Sequence, residues 1–101
     1  MHKLSIILPA KNEAEGLKSF LPRLRKQQPH AEIIVVNDGS TDNTAEICLA
    51  NGVFIVTHPY SMGNGAAIKS GVRHATGDVL VFMDADGQHQ PEDIPRLLAH
   101  I

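Results

Sequence analysis

Apolar residues fall along the chain in two alternating rhythms. Continuous runs rich in Ile and Val occupy Leu4–Leu8, Glu32–Val36, Val53–Thr57 and Val79–Met83. A run without polar alternation fits a strand covered on both faces, as in a parallel sheet. Between the runs the spacing lengthens to that of a helix. Leu17, Phe20, Leu21 and Leu24 recur at i, i+3, i+4 and i+7 and draw one apolar stripe. Asn12 is placed to cap this helix, and Glu13 and Glu15 suit its positive end. Pro22 removes a backbone hydrogen bond inside it and predicts a kink or a break. A second helix is expected after Ser40-Thr41-Asp42, ending at Asn51-Gly52. A third is expected from Gly63 to Ala75, closed by Thr76-Gly77-Asp78. The last stripe is Ile94, Leu97, Leu98 and Ile101. Pro91 suits a first turn there, whereas Pro95 lies deeper and leaves the start of that helix open.

Strand followed by helix, four times over, predicts an α/β fold. The sheet is expected to be Rossmann-like, mostly parallel and of about four strands, with helices on both faces and right-handed crossovers. At 101 residues and 43% hydrophobic content, the chain can build one core and not two. The whole of 1–101 is therefore read as a single domain. The chain stops inside a helical pattern, so a longer protein, truncated at the C-terminus, is expected.

Charge and cysteine content narrow the partners. The net charge is −2 and no basic run stands out, which argues against a nucleic-acid partner. No apolar run approaches the roughly 20 residues of a membrane span, and the N-terminal one is too short for a secretory signal. Cys48 is alone, so no internal disulfide can form; a reducing, cytoplasmic setting is expected. None of the six histidines is spaced from Cys48 or another histidine as metal ligands are, and most are expected at the surface.

Polar residues collect just after the strands, where open parallel sheets bind ligands. The first strand is followed by Pro9-Ala10-Lys11-Asn12-Glu13 and the second by Asn37-Asp38-Gly39-Ser40-Thr41-Asp42. The third is followed by His58-Pro59-Tyr60-Ser61-Met62-Gly63-Asn64-Gly65 and the fourth by Asp84-Ala85-Asp86-Gly87-Gln88-His89. In extended chain, residues i and i+2 point to one side, so Asp84 and Asp86 converge while Ala85 adds little bulk. Two adjacent carboxylates repel unless a cation lies between them. Their hard oxygens suit Mg²⁺ or Mn²⁺. The alternative is that both only cap a turn and the next helix. An EF-hand is excluded, because Gly87 comes two residues too early. The segment Gly63–Ser70 fails as a P-loop and as a dinucleotide fingerprint, since Ile68 stands where each needs glycine. A glycine-rich helix start remains, which could attract an anion with help from Lys69 and Arg73; a solvated basic face is the competing explanation. Asp38 could accept hydrogen bonds from a ribose or base, or simply open a turn with Gly39.

Taken together, ILPAKNEAEGL, VVNDGSTDNT, GNGAAIKSGVRHATGD and MDADGQHQPEDIP resemble the nucleotide-sugar-binding half of a family 2 glycosyltransferase with the GT-A fold. Within the family the chain is most similar to the dolichyl- or polyprenyl-phosphate sugar transferases. The resemblance implies that Pro9, Ala10, Asn12 and Glu13 border the donor nucleoside and that Asp38 binds its base or ribose. It implies Asp84 at ribose or metal, and Asp86 with Gln88 on the metal that holds the diphosphate. Ala85 and Lys69 complete the expected donor-binding set. Lys11 departs from the family pattern, which often has an aromatic residue there; this leaves the base, guanine or uracil, open.

The implied reaction moves a sugar from a GDP- or UDP-sugar to a polyprenyl-phosphate or glycan acceptor with inversion. Asp84 and Asp86 are the implied catalytic residues. Glu92 and Asp93 are weak candidates for a base, better suited to a helix start. Association with the cytoplasmic face of a membrane, through a region beyond residue 101, is also implied. Three other readings stand beside this one. They are a nucleotide-sugar-binding module without turnover, a scaffold without ligand, and a nucleotidyltransferase. The last is disfavoured by the lack of glycine in Leu8–Glu13.

Overall fold

A computed structural model describes residues 3–83. The last predicted helix, with Glu92 and Asp93, lies outside the described residues. The described elements are β1 (Leu4–Ala10), α1 (Ala14–Gln27), β2 (Glu32–Asp38), α2 (Thr44–Ala50), β3 (Phe54–His58), α3 (Asn64–His74) and β4 (Val79–Phe82). The four strands form one sheet in the order β3-β2-β1-β4, and every pairing is parallel. The chain steps outward from β1 to β3 and then returns to the far side of β1. The reversal falls between β1 and β4, and a crevice opens at such a point beyond the C-terminal strand ends.

Strand side chains alternate between two faces. Ile6, Leu8, Ile33 and Val35 point to one face and pack with Leu17, Phe20, Leu21 and Leu24 of α1 and Cys48 of α2. Ile7, Ile34 and Val36 point to the other and pack with Ala67 of α3. Helices therefore cover both faces, as the apolar runs required. α3 comes very close to β1 at Gly71, where a Cβ would stand 2.4 Å from Ile7 Cγ2. Coverage is complete only for the two central strands. Phe54 on β3 is 54% exposed and Phe82 on β4 is 44% exposed, contrary to the expectation that all four runs are sealed on both sides. Continuous apolar sequence marks β-forming chain; which strands become central is a matter of sheet order.

α1 runs unbroken through Pro22, so the expected break does not occur. Leu21 and Leu24 are wholly buried on either side of it, while Pro22 and Lys18 face solvent. The carbonyl that proline leaves without its helical partner thus belongs to an exposed residue, where water can satisfy it. Asn12 does not cap α1. The helix starts at Ala14, and no side chain caps it from position 13. Asp42, from the β2–α2 loop, supplies the missing acceptor to the Ala14 N–H at 3.2 Å. The same carboxylate accepts from the Thr44 N–H at 3.0 Å and from the Thr44 hydroxyl, and so opens α2 as well.

Candidate functional site

β1 and β2 each run two residues past their last aliphatic position. β1 carries Pro9 and Ala10 into the ladder, and β2 carries Asn37 and Asp38. The polar residues expected in turns are therefore held at fixed register on the rim of the sheet. Asp38 ends β2 directly beside His58, which ends β3.

Both carboxylate oxygens of Asp38 are fully engaged. Oδ1 accepts from the His58 imidazole at 2.9 Å and from the Met62 N–H at 2.8 Å. Oδ2 accepts from the Ser61 hydroxyl at 3.1 Å and from the Gly63 N–H at 3.0 Å. A carboxylate has about four lone-pair sites, and all are used. Burial alone would push this carboxyl upward. The hydrogen bonds from Met62, His58, Gly63 and Ser61 outweigh it and hold the pKa at about 2. Asp38 is thus ionised at neutral pH and ties the 61–63 segment to the sheet.

That segment lies against Gly39, whose φ is +70°. A Cβ there would come within 2.4 Å of the Ser61 nitrogen. Behind Asp38, His58 reaches Ser70 of α3, with 2.8 Å between Nε2 and the hydroxyl. His58 is buried, unlike the surface placement expected for most histidines.

The β1–α1 loop is stitched to the β2–α2 loop. The Asn12 N–H donates to Ser40 Oγ at 3.0 Å, and Asn12 Oδ1 accepts from the Thr41 N–H at 2.8 Å. Asn12 sits at φ 53°, a region that asparagine tolerates better than most residues. The ends of β1 and β2, the segment before α3 and the start of α3 border a cleft of ≈ 270 Å³, lined by Pro9, Ala10, Lys11, Asp38, Ser61, Gly63, Asn64 and Ala67.

Of the sequence-predicted site residues, Pro9, Ala10 and Asp38 meet at this cleft. Asn12 does not line the cleft but ties the β1–α1 loop to the β2–α2 loop, and Glu13 is the half-buried residue just before α1. Lys69 is exposed on α3 and does not line the cleft. Asp84, Ala85, Asp86 and Gln88 lie outside the described residues. The described chain holds to β1 as far as Met83, whose N–H donates to Ile7 O at 3.0 Å. Among the described residues no cluster of three His, Cys, Asp or Glu side chains could hold a metal ion. Sequence reasoning missed His58, Ser61 and the Met62 and Gly63 amides as partners of Asp38. The available signal was the polar cluster His58–Gly65 directly after the run Val53–Thr57, and its pairing with Asp38 becomes legible only once register sets His58 beside it.

An all-parallel α/β sheet with a cleft beyond the C-terminal ends of β1 and β2 defines the class of open α/β folds that bind ligands at that edge. The comparisons make it specific. The model of the family described as "Glycosyl transferase family 2" matches residues 5–101, and the chain belongs to this family. Undecaprenyl-phosphate 4-deoxy-4-formamido-L-arabinose transferase of Proteus mirabilis is 36% identical over 98% of the chain and 33% of its own length. The protein of the same name from Pseudomonas fluorescens is 38% identical over 98% of the chain and 32% of its own. The chain thus spans about a third of the length of these relatives.

Among solved structures, glucosyl-3-phosphoglycerate synthase of Mycobacterium tuberculosis, with Mn²⁺, UDP and glucosyl-3-phosphoglycerate, superposes with a TM-score of 0.84. It is 29% identical and covers 97% of this chain and 39% of that one. A mannosyltransferase of Pyrobaculum calidifontis in complex with GDP-Man and Mn²⁺ gives 0.78 at 27% identity, over 84% of this chain and 28% of that one. The fold is therefore the GT-A fold of these glycosyltransferases, as the sequence motifs implied. No helix among the described residues is long and apolar enough to cross a membrane.

Proposed function

We propose that the protein is a metal-dependent glycosyltransferase that moves a sugar from a nucleoside diphosphate sugar to a polyprenyl phosphate, with inversion at the sugar carbon. The observation that carries this is the cleft at the β1 end. It is a pocket beyond the C-terminal ends of β1 and β2 in a family 2 chain, walled by a loop that an ionised aspartate holds in place. Pro9, Ala10, Asn12 and Glu13 border the nucleoside. Asp38 receives a base or ribose donor on Oδ2 when the Ser61 hydroxyl, the longest of its four bonds, turns aside. Lys11 lines the cleft and adds a cation beside the donor.

Asp84, Asp86 and Gln88 would hold Mg²⁺ or Mn²⁺, with Ala85 between the two aspartates in sequence; Lys69, on the exposed side of α3, takes no part. An all-oxygen donor set fits a hard cation, and two carboxylates leave coordination positions for diphosphate oxygens. Such an ion, when bound, neutralises the departing diphosphate. Mn²⁺ with UDP or GDP-Man in the structural neighbours supports this reading. The names of the curated relatives support an undecaprenyl-phosphate-type acceptor. A phosphate oxygen is already a competent nucleophile and needs no strong base to attack the sugar carbon opposite the leaving diphosphate. A lipid-linked acceptor places the reaction at a membrane surface, on the cytoplasmic side where nucleotide sugars are available.

Calorimetry with UDP or GDP plus Mn²⁺ tests the reading. Asp86→Ala is expected to abolish metal-dependent binding while leaving the fold intact. Equal affinity of the variant and the parent protein would refute the metal assignment.

A further inference from the structure

We propose that His58 is a positioning residue for the donor cleft, acting through Asp38. Its use for catalysis rests on the glycosyltransferase reading above; its structural part does not. Asp38 on β2, His58 on β3 and Ser70 on α3 form a linear chain of hydrogen bonds, 2.9 Å and 2.8 Å long, with His58 only 7% exposed. An ionised carboxylate can only accept, so His58 Nδ1 carries the hydrogen of the first bond. In the neutral ring Nε2 is then an acceptor, and the Ser70 hydroxyl donates to it. Both ring nitrogens are committed, and a flipped ring would present carbon to both partners.

The consequence lies on the other side of the carboxylate. The oxygen that His58 holds, Oδ1, also receives the Met62 N–H, and Oδ2 receives the Gly63 N–H. These amides set the 61–63 wall of the cleft, which Ser61 and Gly63 line. Without the imidazole, the carboxylate is free to rotate off the two amides, and the wall loses its register with β1. The order of groups is that of an Asp–His–Ser triad, yet Ser70 lies inside α3, where neighbouring N–H groups are committed to helix bonds and cannot receive an oxyanion. Positioning, not attack, is the role the surroundings allow.

Two isosteres separate this from a merely space-filling role. Asparagine places an N–H donor where Nδ1 stands; glutamine places its amide where Nε2 stands and keeps only the Ser70 link. His58→Asn is expected to keep hydrogen exchange of the Met62 and Gly63 amides within about 3-fold of the parent protein. His58→Gln is expected to accelerate both by about 10-fold or more, the loss of one charge-assisted bond. Affinity for UDP or GDP with Mn²⁺ should split the same way. Exchange that is unchanged in both variants, or better preserved in His58→Gln, would overturn the proposal. The exchange measurement needs no nucleotide. Failure of the parent protein to bind any nucleotide would count against the glycosyltransferase reading, and the exchange result would still decide the role of His58.

Discussion

Replacing Asp38 with asparagine tests the organisation of the cleft with one atom. Asparagine keeps an acceptor oxygen on one side and puts an N–H₂ donor on the other. The four groups facing it are the His58 N–H, the Ser61 hydroxyl and the N–H groups of Met62 and Gly63. Ser61 can reverse its hydroxyl; a backbone N–H cannot. In either amide orientation at least one backbone N–H meets another donor. Hydrogen bonds to a charged group contribute about 1.5–3 kcal/mol each, so the expected loss is about 2–3 kcal/mol.

The same four bonds set the carboxyl's acidity and so give the loss a pH dependence. Its pKa falls from 3.8 to about 2 in the folded protein, worth roughly 2.4 kcal/mol at 1.36 kcal/mol per unit. Asp38 is 6% exposed, yet its cleft opens to water, and screening reduces that to about 1–2 kcal/mol. Because the folded pKa lies below the unfolded one, this stability is complete above about pH 5 and is lost as pH falls from 3.8 towards 2. Urea unfolding of parent and Asp38→Asn proteins should therefore differ by about 2 kcal/mol at pH 7, with the gap closing in acid. A difference below about 0.5 kcal/mol at pH 7, or one that persists unchanged at pH 2.5, would refute the account.

Two further outcomes follow from the same loops. Gly39→Ala places a Cβ at φ +70° and 2.6 Å from the Tyr60 carbonyl carbon. It is expected to cost at least about 2 kcal/mol in denaturant unfolding and to disturb amide resonances across 59–63. Asp42→Ala removes the acceptor for the first turns of both α1 and α2. It should cost about 1–2 kcal/mol by thermal unfolding, and Asp42→Asn should recover only part of that, because one of the two backbone N–H groups then faces the amide N–H₂.

The sequence by itself determined the elements and the kind of site. The Ile- and Val-rich runs became strands, the stripe of Leu17, Phe20, Leu21 and Leu24 became the buried face of α1, and the polar residues after each run marked the working edge. Local patterning can do this because one chain segment carries the whole signal: a period and a run length. The same patterning misjudged Asn12 and Pro22. Whether asparagine caps its own helix or a neighbouring loop depends on a partner 29 residues away, and whether proline breaks a helix depends on where the freed carbonyl points.

Only the tertiary structure decided that β1 and β2 are central while β3 and β4 lie at the sides, and that His58 stands beside Asp38. It also turned Asp38 from a turn residue into the tie for four donors. Register and sheet order are relations between segments far apart in sequence, fixed by the joint burial of two faces. No single stretch of the chain contains them.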